Sequence, residues 1–583
     1  PRRSAIVELV GLLGCGGAER GGHAPHRQMG VGQPRSDQWF ARDGYFDIRG
    51  PRLLRRGLRL VTALFVALAS DGRDDKGQNN DSLIHGLHVV ARATHDHCMR
   101  RSAYPQKPRC TKIVATVGPK TASREGIAGL LEAGVDCIRI NGSHGNHAEQ
   151  AQIVAWVRQE SARLERVTAI LYDLQGPKIR VGRFAGSARA VKVNDQITFA
   201  VRRAPDEGEL PADYDLLDQD VKVGDPLLID DGAISTQVTF VADGTVKARV
   251  LNDGAIEPRK GINLPATAVS APAVTAKDEL DALFAAEQGV DVIALSFVRR
   301  GDDVAGLKQF LKAHGHQVPL IAKIEKPQAL ENLTEILEQS WGVMVARGDL
   351  GVELPPEKVP MAQKQIIAEA RRLGRPVITA TQMLDSMTRN PRPTRAEVSD
   401  VANAVLDGTD AVMLSQETAV GRYPSETVRM MARIISHTEK ERELEPQGRR
   451  REREMATTSQ AVTDAAVQVA HHLKVRAIVA FTRSGNSVIS TAQRRPDAPI
   501  YGMTPDANVL RLLALVWGVL PVTMPLTENT DHLIAQLDRE LLARALAAPG
   551  DRLVLLMGAP TRAMAPTNTM MIRNCGDPFE SKG

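Results

Sequence analysis

Eight short apolar runs recur along the middle of the chain: Lys112–Val117, Cys137–Ile140, Ala169–Tyr172, Val292–Ser296, Leu320–Ile324, Val343–Ala346, Val377–Ala380 and Ala411–Leu414. Helical patterns separate them, as in Gln328–Gln339, where Leu330, Leu333, Ile336 and Leu337 fall at helical spacing. Each run ends in polar or glycine-containing sequence, such as Asn141-Gly142-Ser143-His144, Asp173-Leu174-Gln175-Gly176, Arg347-Gly348-Asp349-Leu350-Gly351, Thr381-Gln382 and Ser415-Gln416-Glu417-Thr418. Strands alternating with helices, with chemistry collected at the strands' carboxyl ends, predict an α/β fold built on a (β/α)8 TIM barrel.

The third unit departs from the pattern. From Val181 to about Asn263 short alternating strands and turn dipeptides such as Asp231-Gly232 and Asp243-Gly244 replace any helix, predicting a small all-β lid inserted in a βα loop. After a charged run, Glu439–Glu454, read as a solvated helix end and linker, a second α/β region begins. The expected organisation is barrel at 105–180 and 263–445, lid at 181–262, and a C-terminal α/β effector-binding domain at 446–583.

Residues 1–104 are rich in Arg, Gly and His and lack a sustained period, so they are expected to be a disordered or mispredicted extension, with Met99 the expected start. Their apolar run, Leu60–Ala69, is too short to span a bilayer and too far from the N-terminus for a secretory signal.

Composition changes the picture little. A hydrophobic fraction of 43% in 583 residues suits a multidomain globular protein, and 4% aromatics argue against stacking platforms for nucleic acid. The net charge of +5 belongs to residues 1–100, which carry 15 Lys/Arg against 10 Asp/Glu; residues 101–583 hold 59 of each sign. The mild basicity therefore says nothing about nucleic acid or membrane binding. Five scattered cysteines, Cys15, Cys98, Cys110, Cys137 and Cys575, form no CxxC pair and read as reduced thiols of a cytoplasmic protein.

The densest chemistry lies in Pro319–Gly351. Lys323 and Glu325, two apart on a strand, point to one face. Alone, such a pair is most simply a strand-end salt bridge. Asp349 at the next strand end adds a second carboxylate, and the three suit an oxygen-ligand site for Mg²⁺ with a fixed positive charge for a phosphate.

The stretches TKIVATVGP at Thr111, IRINGSHG at Ile138, DLQGPKIRVG at Asp173, PRKGINLP at Pro258, SFVR at Ser296, IAKIE at Ile321, ARGDLGVE at Ala346, ATQMLDSM at Ala380 and PTRAEVSDVANAVLDGTDAVMLSQETA at Pro393, in that order, resemble the pyruvate kinase family from about Thr111 to Gly576. The resemblance implies phosphoryl transfer from phosphoenolpyruvate to ADP by a homotetramer with a barrel, a lid and a C-terminal regulatory domain. It implies Mg²⁺ (Mn²⁺ as an alternative) on Glu325 and Asp349, with Lys323 neutralising the phosphoryl group in flight. Gly348, Asp349 and Thr381 would hold the substrate carboxylate region, Thr381 would lie near the water that protonates the enolate, and Arg139 would contact the phosphate. For the nucleotide it points to Asn141, Gly142, Ser143, His144, Arg180 and Lys260, whose alternatives are surface charge for Arg180 and Lys260 and a packed or capping histidine for His144. Members that need K⁺ place it near the residues matching Asn141, Ser143, Asp173 and Leu174 and usually carry Glu where this chain has Lys178; the lysine is expected to substitute for the ion, so that K⁺ is not required. The loop Thr482, Ser484, Gly485, Asn486 and Ser487 matches the family's site for an allosteric effector phosphate, or is a plain turn.

Three places depart from the family's usual residues: Gly142 replaces a Phe, Gln416 replaces a small residue, and Ala565-Pro566 sits where Gly-Thr is common before Thr567-Asn568; the first two flank the site. Two other readings remain open from sequence. A lyase of the phosphoenolpyruvate/pyruvate barrel type would also bind a small acid through Mg²⁺ but would not use the lid or nucleotide residues. A degenerate barrel retained as a metabolite sensor would not need Lys323, Glu325, Asp349 and Thr381.

Overall fold

The computed structural model describes residues 109–442 and 457–577, apart from 266, 268, 526, 528 and 560–565. The expected extension 1–104, Met99 and most of the charged run Glu439–Glu454 lie outside the described residues.

Strands β1 (Lys112–Thr116), β2 (Cys137–Asn141) and β3 (Ala169–Asp173) open the fold. The insertion follows as β4 (Arg189–Val191), β5 (Gln196–Ala200), β6 (Leu210–Pro211), β7 (Pro226–Ile229), β8 (Ile234–Ala242), β9 (Thr245–Val250), β10 (Gly254–Ile256) and β11 (Ile262–Asn263). Then come β12 (Val292–Leu295), β13 (Leu320–Ile324), β14 (Gly342–Ala346), β15 (Val377–Ala380) and β16 (Ala411–Leu414). The order β1-β16-β15-β14-β13-β12-β3-β2 closes on itself as an eight-stranded barrel, every pair parallel. The strands read as continuous apolar runs because helices cover one face and the barrel interior the other, leaving no wet face that would demand alternation.

Local chemistry starts and stops the helices. Asn146 with Glu149, Thr275 with Asp278 and Thr394 with Glu397 form reciprocal capping boxes at the starts of His147–Arg163, Ala276–Glu287 and Arg395–Asp407. Arg395–Asp407 ends at Gly408, whose φ of 97° lies in the left-handed region.

The barrel interior is packed by Val114, Leu171, Val292, Ile321, Met344 and Met413, and Leu512, Ala514 and Leu515 of the C-terminal domain join the same cluster. The C-terminal domain thus plugs the amino-terminal mouth. Ion pairs Arg495–Asp410 at 2.9 Å and Arg511–Asp291 at 2.7 Å fasten it there, as does Lys112 Nζ, which donates to the Val519 carbonyl at 2.8 Å. With one mouth sealed, substrate must approach from the carboxyl edge.

The insertion has its own core, including Ile197, Phe199, Leu227, Ile229 and Val246, between a six-stranded sheet of order β11-β7-β8-β9-β5-β6 and a β10-β4 pair. It leaves and rejoins the barrel by two adjacent chain segments, bridged antiparallel at Arg180 and Gly261. The sequence pattern allowed it no helix; one turn, Leu217–Asp220, forms there, its buried Leu217 anchored in the lid core. The C-terminal domain is a five-stranded sheet of order β19-β18-β17-β20-β21, from β17 (Ala477–Phe481), β18 (Ile500–Thr504), β19 (Val519–Thr523), β20 (Arg552–Met557) and β21 (Thr569–Asn574), with only β21 antiparallel.

One local expectation changes. Gln328–Gln339 is not one helix but two, Pro327–Glu331 and Leu333–Gln339, broken at Asn332, whose side chain donates to the Arg299 carbonyl at 2.9 Å. The glycine-containing stretch Arg347–Gly351 forms the start of a short helix, Arg347–Glu353, springing directly from β14. Among the described residues no helix is long and apolar enough to cross a membrane.

Candidate active site

Register brings the carboxyl ends of β2, β3, β12, β13 and β14 level: Asn141 pairs with Asp173, Asp173 with Ala294, Leu295 with Ala322, and Lys323 with Met344. At that edge Lys323 Nζ lies 2.8 Å from Glu325 Oε1 and 3.3 Å from Asp173 Oδ1, and it donates to Ser296 Oγ at 2.8 Å. Arg139 donates from Nε to Asp173 Oδ2 at 2.7 Å and from a terminal nitrogen to Thr116 Oγ1 at 3.0 Å. Two partly exposed cations and two buried carboxylates are therefore stacked in one row.

The row is electrically uneven. Burial works against the charge on Lys323, but Asp173, Glu325 and Asp349 outweigh it and hold the ammonium's pKa above an ordinary lysine's. Burial likewise opposes ionisation of Asp173, yet Lys323 and Arg139 together keep its pKa below the usual carboxylate value. Burial dominates at Glu325 and repulsion by Asp349 adds to it; Lys323 and the Phe297 N–H offset them only in part, so its carboxyl is pushed up to about 7. The backbone N–H of Phe297 donates to Glu325 Oε2 at 2.7 Å, whereas Oε1, though beside the lysine, is buried and accepts no well-directed hydrogen bond. Asp173 Oδ1 is in the same position. A cation-hungry oxygen facing a second carboxylate is what a divalent ion would use, and Mg²⁺ commonly takes one or two protein carboxylates and completes its shell from water and substrate. Among the described residues no group of three or more His, Cys, Asp or Glu is arranged to hold a metal.

Gly348 and Asp349 occupy the first turn of Arg347–Glu353, where backbone N–H groups have no partner within the helix and can serve an anion. Thr381 faces them. A Cβ on Gly348 would sit 2.7 Å from Thr381 Cγ2, so glycine is what permits this approach. Thr381 adopts φ 77° and Gln382 φ 54°, a left-handed pair costly for a β-branched residue. Arg347 holds the pair in place: it donates to the carbonyls of Ala380 at 3.1 Å and Thr381 at 2.7 Å and pairs with Asp400 at 2.6 Å. Arg347 was quoted in the ARGDLGVE stretch, but its reach across to β15 is invisible without the barrel.

The β2 turn is ordered by its own polar groups. Asn141 Oδ1 accepts from the Ser143 N–H at 3.1 Å, and the His144 N–H donates to the Asn141 carbonyl at 3.1 Å. The Gly142 N–H donates to the Asp173 carbonyl at 2.9 Å, while its own carbonyl accepts from Lys277 Nζ at 3.0 Å. A Cβ at Gly142 would lie 3.0 Å from both the Asp173 carbonyl oxygen and Tyr172 Cε1. Leu174 is buried and its carbonyl accepts from Ser296 Oγ at 2.7 Å.

Arg180 and Lys260 lie on the lid side. Arg180 donates to the Arg259 carbonyl at 3.1 Å, and Lys260 pairs with Asp230 at 3.1 Å and Glu257 at 3.4 Å. The Lys178 side chain runs along Gly261, where an added Cβ would meet its Cε at 3.1 Å and its Nζ at 3.8 Å; Asp173 is met by Arg139 and Lys323. In the C-terminal domain, Thr482 Oγ1 accepts from the Gly485 N–H at 2.8 Å, Gly485 has φ 86°, and Ser487 Oγ is hydrogen-bonded to Thr567 Oγ1. Asn486 and Ser487 open the helix Asn486–Ala492, with Ser484 in the turn before it.

Sequence reasoning gave no role to Ser296, the Phe297 amide, Arg347 or Glu417. Glu417 is 1% exposed, burial raises its pKa, and it accepts from the backbone N–H groups of Leu384 at 3.1 Å and Ser415 at 2.7 Å, tying the ends of β15 and β16 together. Its position in SQETA was legible; its burial was not.

Comparison with known proteins places the whole chain rather than the site. The description "Pyruvate kinase, barrel domain" matches residues 108–428, and "Pyruvate kinase, alpha/beta domain" matches 460–573. The chain is 44% identical over 477 residues to a pyruvate kinase of Geobacillus stearothermophilus, covering 80% of this chain and 81% of that one. It is 45% identical over 431 residues to pyruvate kinase 2 of a Synechocystis strain, covering 73% and 72%. A crystal structure of a pyruvate kinase from Cryptosporidium parvum superimposes with a TM-score of 0.74 at 33% identity, over 80% of this chain and 96% of that one. With a lysine held between carboxylates at the open mouth of an eight-stranded barrel, and this extent of likeness, the chain belongs to the pyruvate kinase family.

Proposed function

We propose that the carboxyl edge of the barrel divides the work of this family's reaction, phosphoryl transfer from phosphoenolpyruvate to ADP, among the residues described above. The observation that carries the proposal is Lys323, an ammonium with little exposure, fixed between Asp173 and Glu325 and anchored on Ser296. Its position is set before substrate arrives, so little reorganisation is needed when negative charge spreads over the phosphoryl oxygens. In the reaction the bond between phosphorus and the enol oxygen breaks, one to a terminal ADP oxygen forms, and the enolate left behind takes a proton at carbon. Lys323 and Arg139 would meet the phosphoryl oxygens. The Gly348 and Asp349 amides and the Thr381 hydroxyl would hold the carboxylate end, with Thr381 ordering the water that delivers the proton.

Glu325 and Asp349 would hold the Mg²⁺, which would supply positive charge to offset that of the substrate oxygens. Asn141, Gly142, Ser143 and His144 would receive the nucleotide, and Arg180 and Lys260 would come to it with the lid by exchanging their present carbonyl and carboxylate partners for phosphate. Lys178 stands where K⁺-requiring members usually carry Glu, and its ammonium, now beside Gly261, would move to supply the positive charge that K⁺ brings to Asn141, Ser143, Asp173 and Leu174, the basis for K⁺-independent activity. The Thr482–Ser487 turn would take an effector phosphate on the Gly485-Asn486-Ser487 backbone and hydroxyls. Exposed Met361, Val398 and Leu406, on the neighbouring helices Val359–Arg372 and Arg395–Asp407, supply apolar surface for a homotetramer. Buried free thiols at Cys137 and Cys575 suit the reducing cytoplasm.

The direct test is ADP-dependent pyruvate formation with Lys323→Met as control. A loss of roughly 10³-fold in kcat is expected from removing a preorganised charge, with phosphoenolpyruvate binding largely kept. A variant within tenfold of wild type would remove Lys323 from the chemistry.

A further inference from the structure

One ion pair at the barrel mouth lies outside the chemistry described above. Lys326, the residue after Glu325 and Ile324 at the end of β13, pairs with Glu353 Oε1 at 2.6 Å, with side chains 13% and 0% exposed. Its ammonium also lies 6.0 Å from the centre of the Phe297 ring, and Phe297 is the residue whose N–H holds Glu325. Glu353 closes the short helix that begins with Arg347 and carries Asp349 one turn earlier. The same Glu353 oxygen accepts from Asn263 Nδ2 at 3.1 Å, and Asn263 is the last residue of β11, where the lid rejoins the barrel. Asn263, Phe297, Lys326 and Asp349 line one cleft between lid and barrel.

This cluster spends a buried ion pair on a place where apolar packing would serve stability as well. What the ion pair does that packing would not is fix register between three otherwise separate segments: the residue beside one proposed metal carboxylate, the helix bearing the other, and the lid's exit strand. Glu353 Oε2 and Asn263 Oδ1 are buried with no hydrogen-bond partner, so the cluster is held on one side only and a shift of the exit strand is not opposed by a second set of bonds.

We infer that Asn263, Glu353 and Lys326 are positioning residues that transmit the lid's position to the spacing of Glu325 and Asp349. The inference rests on the assignment of those two carboxylates to the metal. In a closed lid, the Asn263 amide holds Glu353, Glu353 holds the Arg347–Glu353 helix against Lys326, and Asp349 is thereby kept opposite Glu325. Nucleotide that closes the lid tightens the divalent-ion site, and by linkage the occupied site favours the closed lid.

The test uses the full chain and dead-end complexes, since pyruvate and ADP together lack the phosphoryl group that moves. The dissociation constant of ADP is measured with and without saturating pyruvate and Mg²⁺ in wild type, Asn263→Ala, Lys326→Met and Lys326→Arg, with melting temperature recorded for each. Asn263→Ala removes only the lid's end of the link; it is expected to raise the Mg²⁺ concentration for half-maximal rate about tenfold and to reduce the pyruvate–ADP coupling factor by a similar ratio, for the loss of one hydrogen bond to a charged group. Lys326→Met should do the same, and Lys326→Arg, which keeps the pair, should restore it. Unchanged coupling and Mg²⁺ dependence in Asn263→Ala, or a Lys326→Arg no better than Lys326→Met at equal melting temperature, would overturn the link. Asp349→Asn separates the two layers: if it still binds Mg²⁺ normally, the metal assignment fails; if it loses Mg²⁺ while Asn263→Ala behaves as wild type, only the link fails.

Discussion

Substituting Arg347 by lysine tests how a residue remote from the transferred group sets the site. The guanidinium spans Ala380 O, Thr381 O and Asp400 and touches Met383 Sδ, holding Thr381 at φ 77°. Lysine keeps the charge but offers a single point, so it can meet Asp400 or the carbonyls but not all three. A hydrogen bond from a charged donor contributes about 1.5–3 kcal/mol, and the left-handed pose of a non-glycine residue costs about 1–3 kcal/mol. Losing at least one carbonyl contact therefore leaves the strained pose short of support by about 2 kcal/mol, on the order of 30-fold in occupancy of the competent geometry. A coupled assay of pyruvate formation is expected to show kcat/KM down by roughly 30- to 100-fold with the ADP KM little changed, because the nucleotide turn on β2 is untouched. Thr381→Gly in the Arg347→Lys background relieves the φ cost and should not lower the rate further by the full amount of Thr381→Gly alone. An Arg347→Lys enzyme within threefold of wild type would refute the argument that the arginine holds Thr381.

Three further outcomes follow from the same geometry. Because burial raises the Glu325 carboxyl to about 7, protons compete with the metal on the acid side: Mg²⁺ affinity of the substrate-free enzyme, titrated calorimetrically, should be about tenfold weaker at pH 6 than at pH 8 and level off above that. A pH-independent affinity would mean Glu325 is not a ligand. Activity assayed with and without KCl at constant ionic strength should be the same, whereas strong activation by K⁺ would show that Lys178 does not take the ion's place. Gly142→Phe, which restores the family's usual residue, should cost about 1–3 kcal/mol in thermal denaturation and raise the ADP KM, because a Cβ there meets Asp173 O and Tyr172 Cε1 at 3.0 Å; an unchanged melting temperature would show that the turn relaxes freely.

Much of this protein was legible without coordinates. The eight apolar runs determined the eight barrel strands, because parallel strands covered on both faces leave a continuous apolar signature. Turn dipeptides marked the inserted sheet, and the ordered motifs named Lys323, Glu325, Asp349, Arg139 and Thr381 as the candidate site. Sequence spacing fixes only which face of a strand a side chain leaves from, so it could put Lys323 and Glu325 together but not add Asp173 and Ser296, which join them from β3 and the end of β12. Barrel closure and register decided that meeting, as they decided Arg347's reach to Thr381 and the joining of Asn263 to Glu353 across 90 residues. The electrostatic outcome was also tertiary. Asp and Glu have similar intrinsic acidities, yet Asp173 is held low by two cations while Glu325, sharing one of them and facing Asp349, rises to about 7. Local sequence selects the strand, the cap and the charge; which charges are buried together depends on where distant strand ends come to rest, and that is set by packing around the whole barrel.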